Sequence, residues 1–155
     1  MTLRNQPYLP LYIQDYLTDE KLNECSAQAQ GIYIKIMCVL HKQSEYGKLL
    51  LKQKDKQNSS NIKNFAYKLV KHLPFSLELI ESALIELTNE GVLVISGDYL
   101  IQKRMVKDNE ISNKRAISGS KGGKIAQAKI KANTENEIEN ENINDILNNI
   151  TDNFK

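Results

Sequence analysis

The glycines and lysines of SGSKGGK, residues 118–124, are the residues whose types most suggest chemistry. Glycine-rich loops bind nucleoside phosphates when their spacing is G-x-x-x-x-G-K-[ST], because backbone amides wrap the phosphate and the hydroxyl holds Mg²⁺. In this sequence the second glycine and its lysine stand one residue too close to the first glycine, and Ile125 occupies the hydroxyl position. The spacing therefore excludes a nucleotide-binding loop of this type.

The histidines and carboxylates form no catalytic or metal-binding pattern. His41 and His72 each end a predicted helix, where the helix dipole favours a positive charge. The sequence contains no HExxH, no CxxC pair and no serine elbow. Four acids near the N-terminus have no histidine and no repeated spacing, and we interpret them as a solvated face: Asp15, Asp19, Glu20 and Glu24. We therefore expect no enzyme, no catalytic residue, no metal and no cofactor.

Cysteine usage and hydropathy indicate a protein of the cytoplasm, its own or that of a host. Cys25 and Cys38 fall within or beside an apolar helical pattern, so we expect two small buried hydrophobes and no disulfide. No apolar run approaches the roughly 20 residues that cross a bilayer. Residues 1–17 show no cleavage-site pattern, and no membrane contact is expected.

Charge divides the sequence into three blocks. Residues 1–102 hold 11 basic and 11 acidic side chains, residues 103–131 carry nine basic residues against two acids, and residues 132–155 carry six acids and one lysine. Such blocks usually have different physical roles. We expect a folded domain at 1–107, a basic arm or linker at 108–131 that is helical only at its start, and an acidic low-complexity tail beyond it.

Hydrophobic spacing predicts three helices in the folded domain. Apolar residues recur at helical intervals in residues 26–43, 60–73 and 76–91. Ser26 and Ser76 are suitable N-caps for the first and third of these helices.

Strands, turns and prolines complete the expected fold. An apolar run at 46–52 is a strand candidate, and two strand-like runs flank a Gly97–Asp98 turn. The prolines of residues 7–17 favour an extended N-terminal strap, and Gly31 inside a helix indicates close packing against another backbone. Helix, strand, helix, helix and hairpin is the element order of a winged helix. We therefore expect an α+β, mainly helical fold: a winged helix-turn-helix with an N-terminal strap and a disordered C-terminal tail.

Several short motifs follow one another between residues 7 and 128. They are PYLPLYIQDY at 7–16, GIY at 31–33, GKL at 47–49 and a Gly/Lys/Arg/Ala-rich stretch that follows the hairpin. In this order they resemble the YdaU-like domain found at the N-terminus of phage and prophage replication proteins. The resemblance implies a winged-helix domain of a replication initiator or replisome organiser, which binds origin DNA or helps to deliver the host helicase.

The expected nucleic-acid contacts lie outside the usual recognition helix. The helix predicted at 76–91 would enter the major groove in a helix-turn-helix protein, but it carries four glutamates and no Lys or Arg. Flexible basic segments instead bind phosphates by counterion release, with weak sequence specificity. The predicted contact residues belong to the second helix and to the basic segment: Lys63, Lys68, Lys71, Lys103, Arg104, Lys107, Lys114, Arg115, Lys121 and Lys124.

Two functions remain open at this point. The first is a DNA-binding protein of phage or prophage replication, whose body and basic arm contact the phosphates of DNA, expected to be double-stranded. The alternative is a protein-interaction adaptor without direct DNA contact, whose acidic third helix and tail bind a partner. The resemblance implies replication proteins, such as a helicase or its loader, as further partners, and either function is compatible with an oligomer.

Overall fold

The computed structural model describes the backbone of residues 3–152 and the side chains of residues 3, 5–130 and 147. Six α-helices and three short strands are present in this part of the chain, with 3₁₀ turns at Leu3–Asn5 and Gln53–Asp55. The helices are α1 (Ile13–Thr18), α2 (Glu20–Asn23), α3 (Ala27–His41), α4 (Asn61–Val70), α5 (Leu77–Asn89) and α6 (Lys103–Asp152). The strands are β1 (Lys48–Leu50), β2 (Val94–Ser96) and β3 (Tyr99–Ile101). The fold is α+β and mainly helical, as predicted.

Serine caps fix the beginnings of two long helices. The Ser26 hydroxyl accepts a hydrogen bond from the Ala29 amide at the start of α3, and the Ser76 hydroxyl accepts one from the Leu79 amide at the start of α5. Each cap satisfies one of the amides that a helix N-terminus leaves without an intrahelical partner. Both predicted caps are therefore confirmed.

The three strands form one antiparallel sheet in the order β1-β3-β2. Leu100 at the centre of β3 is fully buried and pairs with Leu49 of β1 and Ile95 of β2. Gly97 has φ +58°, a value that favours glycine, and it lies in the predicted two-residue turn between β2 and β3. The hairpin is confirmed, and β1 pairs with β3 on the side away from β2.

The core lies where α5 packs against both α3 and α4. The predicted apolar face of α3 is buried throughout, and α4 and α5 bury the central residues of theirs. Ile36, Phe65 and Leu84, one from each helix, have no exposed surface. Burial of apolar surface is the main favourable term in folding, so this three-helix contact positions everything else in the domain.

Gly47 has the closest approach among the glycines of the described chain. Its φ is +80°, and a Cβ at this position would lie 3.0 Å from the Met105 Cβ and from the Val106 backbone nitrogen. Gly47 also accepts a hydrogen bond from the Gln102 amide. The loop before β1 therefore contacts the beginning of α6 through a residue that only glycine fits.

Three expectations about local structure are wrong. Residues 13–18 form α1 where an extended strap was expected, since the two prolines precede the helix and none interrupts it. An ideal Cβ at Gly31 meets no described atom within 4 Å, so this glycine marks no close backbone contact. Cys38 is exposed and only Cys25 is buried, although both are free thiols as expected.

The C-terminal region also differs from the expectation of a disordered tail. Helix α6 continues to Asp152, well past the short helical start that the sequence predicted. No proline occurs between Lys103 and Asp152, so every residue of this stretch has the backbone N–H that a continuous helix requires. The internal contacts divide the chain into a first unit, residues 1–113, and a second unit, residues 114–155.

Hydropathy along the helices bears on membrane insertion. Among the helices of the described chain, none has both the length and the apolar character that a bilayer span requires.

Candidate nucleic-acid interface

The structure places the predicted contact residues in three groups. The first lies on or just after α4 (Lys63, Lys68 and Lys71), the second at the beginning of α6 (Lys103, Arg104 and Lys107), and the third in the second unit (Lys114, Arg115, Lys121 and Lys124). Each group has a different environment.

One row of α4 combines two lysines and a tyrosine. Lys63, Tyr67 and Lys71 are exposed and four residues apart, which places them one above another along the helix. The opposite face of the same helix carries the fully buried Phe65 and Leu69. Packing of the buried face therefore fixes the direction in which the Lys63–Tyr67–Lys71 row points.

A groove runs beside this row. Its volume is about 490 Å³, and its walls come from α4 and from the loop that precedes it. Three lysines and a tyrosine lie among its lining residues: Lys54, Tyr67, Lys68 and Lys71. Asp55 is the one carboxylate among the described residues that line it.

Lys68 neutralises this carboxylate. Its Nζ donates to the Asp55 Oδ2 at 2.9 Å and to the Leu50 carbonyl oxygen at 2.6 Å. The Lys52 amide also donates to Asp55, and these bonds, led by the one from Lys68, hold the pKa of Asp55 below its ordinary value. Lys68 therefore has a structural role at the floor of the groove, and Lys54 and Lys71 supply the remaining positive charge.

Asn64 holds the loop wall of the groove in place. Its side chain is 1% exposed; the Oδ1 accepts from the Asn58 amide at 3.0 Å, and the Nδ2 donates to the Asn58 carbonyl oxygen at 2.9 Å. A buried side-chain amide that pairs with both backbone groups of one residue acts as a template for that loop. The groove is thus a fixed feature of the first unit.

A second groove, of about 360 Å³, lies between α3 and the turn that joins α4 to α5. Lys35, Lys42 and His72 line it, and none of its described lining residues is a carboxylate. His72 follows Lys71 directly, so the two grooves share the C-terminal end of α4. This end of the helix therefore has basic residues on both sides.

Arg104 is occupied by contacts within the first unit. Its Nη1 lies 2.6 Å from the Asp15 Oδ2, its Nε lies 3.8 Å from the Asp108 Oδ2, and its guanidinium carbon lies 4.1 Å from the centre of the Tyr12 ring. These contacts connect α1 to the beginning of α6. The neighbouring Lys103 and Lys107 are exposed.

The predicted contact residues of the second unit have exposed side chains. Lys114, Arg115, Lys121 and Lys124 lie on α6, and the glycines of residues 118–124 are helical. An exposed, positively charged helix is suited to phosphate contacts without base readout.

Both ring nitrogens of His41 lie within hydrogen-bonding distance of other groups. His41 is buried; its Nδ1 lies 2.8 Å from the Tyr46 hydroxyl and its Nε2 lies 2.9 Å from the Gln6 carbonyl oxygen. Among the described residues, no group of three or more His, Cys, Asp or Glu side chains is placed to hold a metal ion. The Nε2 of His41 must donate to the carbonyl, so this ring joins the N-terminal segment to the end of α3.

Several residues of the candidate interface were missed by reasoning from the sequence. Tyr67 stands midway between Lys63 and Lys71, and this spacing is a signal that a helical plot of α4 contains. Lys35 and Lys42 had no such signal, because they join His72 only through the packing of α3 beside the α4–α5 turn.

Compared with known proteins, the chain matches no family model, no curated protein and no solved structure.

Proposed function

We propose that this chain is a DNA-binding protein whose first unit is a winged helix and whose α4 surface contacts phosphates. The order α3, β1, α4, α5, β2, β3 and the sheet order β1-β3-β2 support the winged-helix assignment. In this assignment α4 and α5 are the helix-turn-helix pair, and the β2–β3 hairpin is the wing.

The observation that carries the proposal is the separation of charge on the first unit. The α4 row and its groove have Lys54, Lys63 and Lys71 beside a single carboxylate that already has a lysine partner. Helix α5 carries the three glutamates Glu78, Glu81 and Glu86 and no Lys or Arg. Phosphates are attracted to the first surface and repelled by the second, so DNA lies along α4.

The basic residues of α6 extend the same function. Lys103, Lys107 and the four exposed cations of the second unit add sequence-independent phosphate contacts. The process we assign is phage or prophage DNA replication, and the resemblance of residues 7–128 to the YdaU-like domain supports that part of the proposal.

The test is a titration of the full chain with DNA at several salt concentrations. Replacing Lys63 and Lys71 together by alanine should weaken binding at low salt and reduce the slope of log K against log salt by about 1.4 to 1.8. Replacing Lys21 and Lys48, which lie outside the groove, removes the same charge and should change the slope less. Equal effects of the two double variants would contradict an α4 interface.

The contribution of the second unit is measured in the same assay. A full-length variant with glutamine at Lys114, Arg115, Lys121 and Lys124 should lose affinity and salt dependence beyond the loss from the α4 variant. An unchanged slope would limit the interface to the first unit.

A second candidate function, a protein-interaction adaptor, is favoured by the acidic and apolar surfaces. Ile85 is 41% exposed on α5, among glutamates, and Ile13 and Leu17 are more than 60% exposed on α1. None of the side chains of α1, all of which the structure describes, is buried. If the full chain fails to bind DNA at low salt, these surfaces become the functional ones, and a partner with a basic, partly apolar face is expected.

A further inference from the structure

We propose that the α4 groove holds a single strand of nucleic acid, with a base stacked on the ring of Tyr67. This inference rests on the proposed function and names the class of DNA that the surface takes. It revises the expectation that the DNA is double-stranded.

The acidic charge of α5 argues against a duplex. In a helix-turn-helix protein the second helix of the pair enters the major groove, with phosphates of both strands close to it. Here that helix carries Glu78, Glu81 and Glu86, and its exposed positions include Ile85. A duplex seated in that manner would place phosphates beside these carboxylates, whereas a single strand on α4 has no second strand to bring near them.

Tyr67 has the exposure that a stacking platform needs. It is 49% exposed, whereas the opposite face of the same helix carries the fully buried Phe65 and Leu69. An aromatic ring exposed inside a groove rimmed by lysines gives a base an apolar face to stack on while its phosphates remain near cations. Tyrosine buried in a core would leave no such face.

Spacing along α4 supports contacts on both sides of the ring. Four residues of helix rise about 6 Å, so Lys63 and Lys71 lie about 6 Å along the axis before and after Tyr67. One stacked base between two phosphate contacts is the arrangement that single-strand binding surfaces repeat along a groove. The lysines supply affinity, and the ring supplies the preference for unpaired bases.

The loop wall adds groups that a base edge can reach. Gln57 and Asn58 line the groove opposite the α4 row, and buried Asn64 keeps that wall in position. The ion pair with Lys68 neutralises the Asp55 carboxylate, which would otherwise repel the phosphates of a strand at this point. The groove is therefore shaped and neutralised before any ligand arrives, which lowers the ordering cost of binding.

The experiment compares single-stranded and duplex DNA of one sequence, about 12 nucleotides long, with the full chain. The single strand carries 2-aminopurine at its centre, because stacking of this base on an aromatic ring quenches its fluorescence. We expect tighter binding of the single strand and quenching on binding. Tyr67→Phe should preserve both, whereas Tyr67→Leu should lose about tenfold in single-strand affinity together with the quenching.

The two variants keep the test independent of folding. Tyr67 is half exposed, so both should melt at the temperature of the unaltered chain, and circular dichroism checks this. Tighter duplex binding, or full single-strand affinity and quenching in Tyr67→Leu, would overturn the inference. In that case loss of binding in the Lys63 and Lys71 double variant would still support the proposed function, whereas absence of any DNA binding at low salt would overturn both.

Discussion

The ammonium group of Lys68 lies 2.9 Å from the carboxylate of Asp55, and these side chains are only 19% and 8% exposed. Lys68 also donates to the carbonyl oxygen of Leu50 at the end of β1. One lysine of α4 thus joins the helix to the strand and to the loop that follows it. This is the interaction on which the floor of the candidate groove depends.

Replacement of Lys68 by methionine should destabilise the fold. The change leaves the Asp55 carboxylate with the Lys52 amide alone and leaves the Leu50 carbonyl without its lysine donor. Loss of a charged partner at a mostly buried acceptor costs about 1–3 kcal/mol of the free energy of unfolding. Urea denaturation measures the loss. Lys63→Met, at an exposed position of the same helix, should change the free energy by less than about 0.5 kcal/mol, and equal losses would contradict a structural role for Lys68.

Acid should weaken the fold through Asp55. Its pKa is lowered in the folded chain, chiefly by the hydrogen bond from Lys68, so the folded state stabilises the carboxylate. This contribution is complete above the pKa of an unfolded aspartate, about 3.9, and is lost as the pH falls through the lower folded value. Stability measured by urea denaturation from pH 6 downward should therefore fall less steeply in Asp55→Asn than in the unaltered chain.

Asp98 provides the matched control for that pH series. It pairs with Lys56 at 2.6 Å, but the two side chains are 44% and 31% exposed. Exposed ion pairs contribute little, so Asp98→Asn should keep most of the acid dependence. If the fall in stability at low pH disappears in Asp98→Asn and persists in Asp55→Asn, the attribution of that fall to Asp55 is wrong.

Two glycine-to-alanine changes should have opposite effects on the stability of the fold. At Gly47 the positive φ and the 3.0 Å approach to Met105 and Val106 leave no room for a methyl group, so alanine should destabilise the fold by more than about 1 kcal/mol. At Gly31, inside α3 and with open space around an added Cβ, alanine should stabilise it by about 0.5–1 kcal/mol. Thermal melting of both variants gives the comparison, and a stabilising Gly47→Ala would refute the contact with α6.

Removal of the Arg104 guanidinium should loosen α1 without unfolding the domain. Helix α1 has no buried side chain among its described residues, and Arg104 contacts Asp15 and Tyr12 at exposed positions. Such contacts contribute about 1 kcal/mol or less to global stability. Arg104→Ala should therefore speed amide exchange in residues 13–18 while the melting temperature stays nearly constant. Lys107→Ala is the control. Equally fast amide exchange of residues 13–18 in that variant would mean that Arg104 does not hold α1.

Reasoning from the sequence predicted the interior of the first unit well. The buried faces of α3, α4 and α5, the caps Ser26 and Ser76 and the turn at Gly97 were all visible in it. Helical periodicity, capping and tight turns depend on residues within about one turn of each other, so a single sequence contains them. The expected strap was wrong because the two prolines precede residues 13–18 and none interrupts α1. The expected close packing at Gly31 was wrong because it depended on a contact between distant segments.

The candidate interface also has features that the sequence predicts and features that depend on contacts between distant segments. The concentration of basic charge in residues 103–131 and the acidic character of the helix at 76–91 can be read directly from the sequence. The sequence did not distinguish Lys68, whose charge is used by Asp55, from Lys63 and Lys71, which lie on the exposed row with Tyr67. This distinction depends on the folded structure, since the side chain that neutralises a lysine and the groove that surrounds it come from elements separated in the chain.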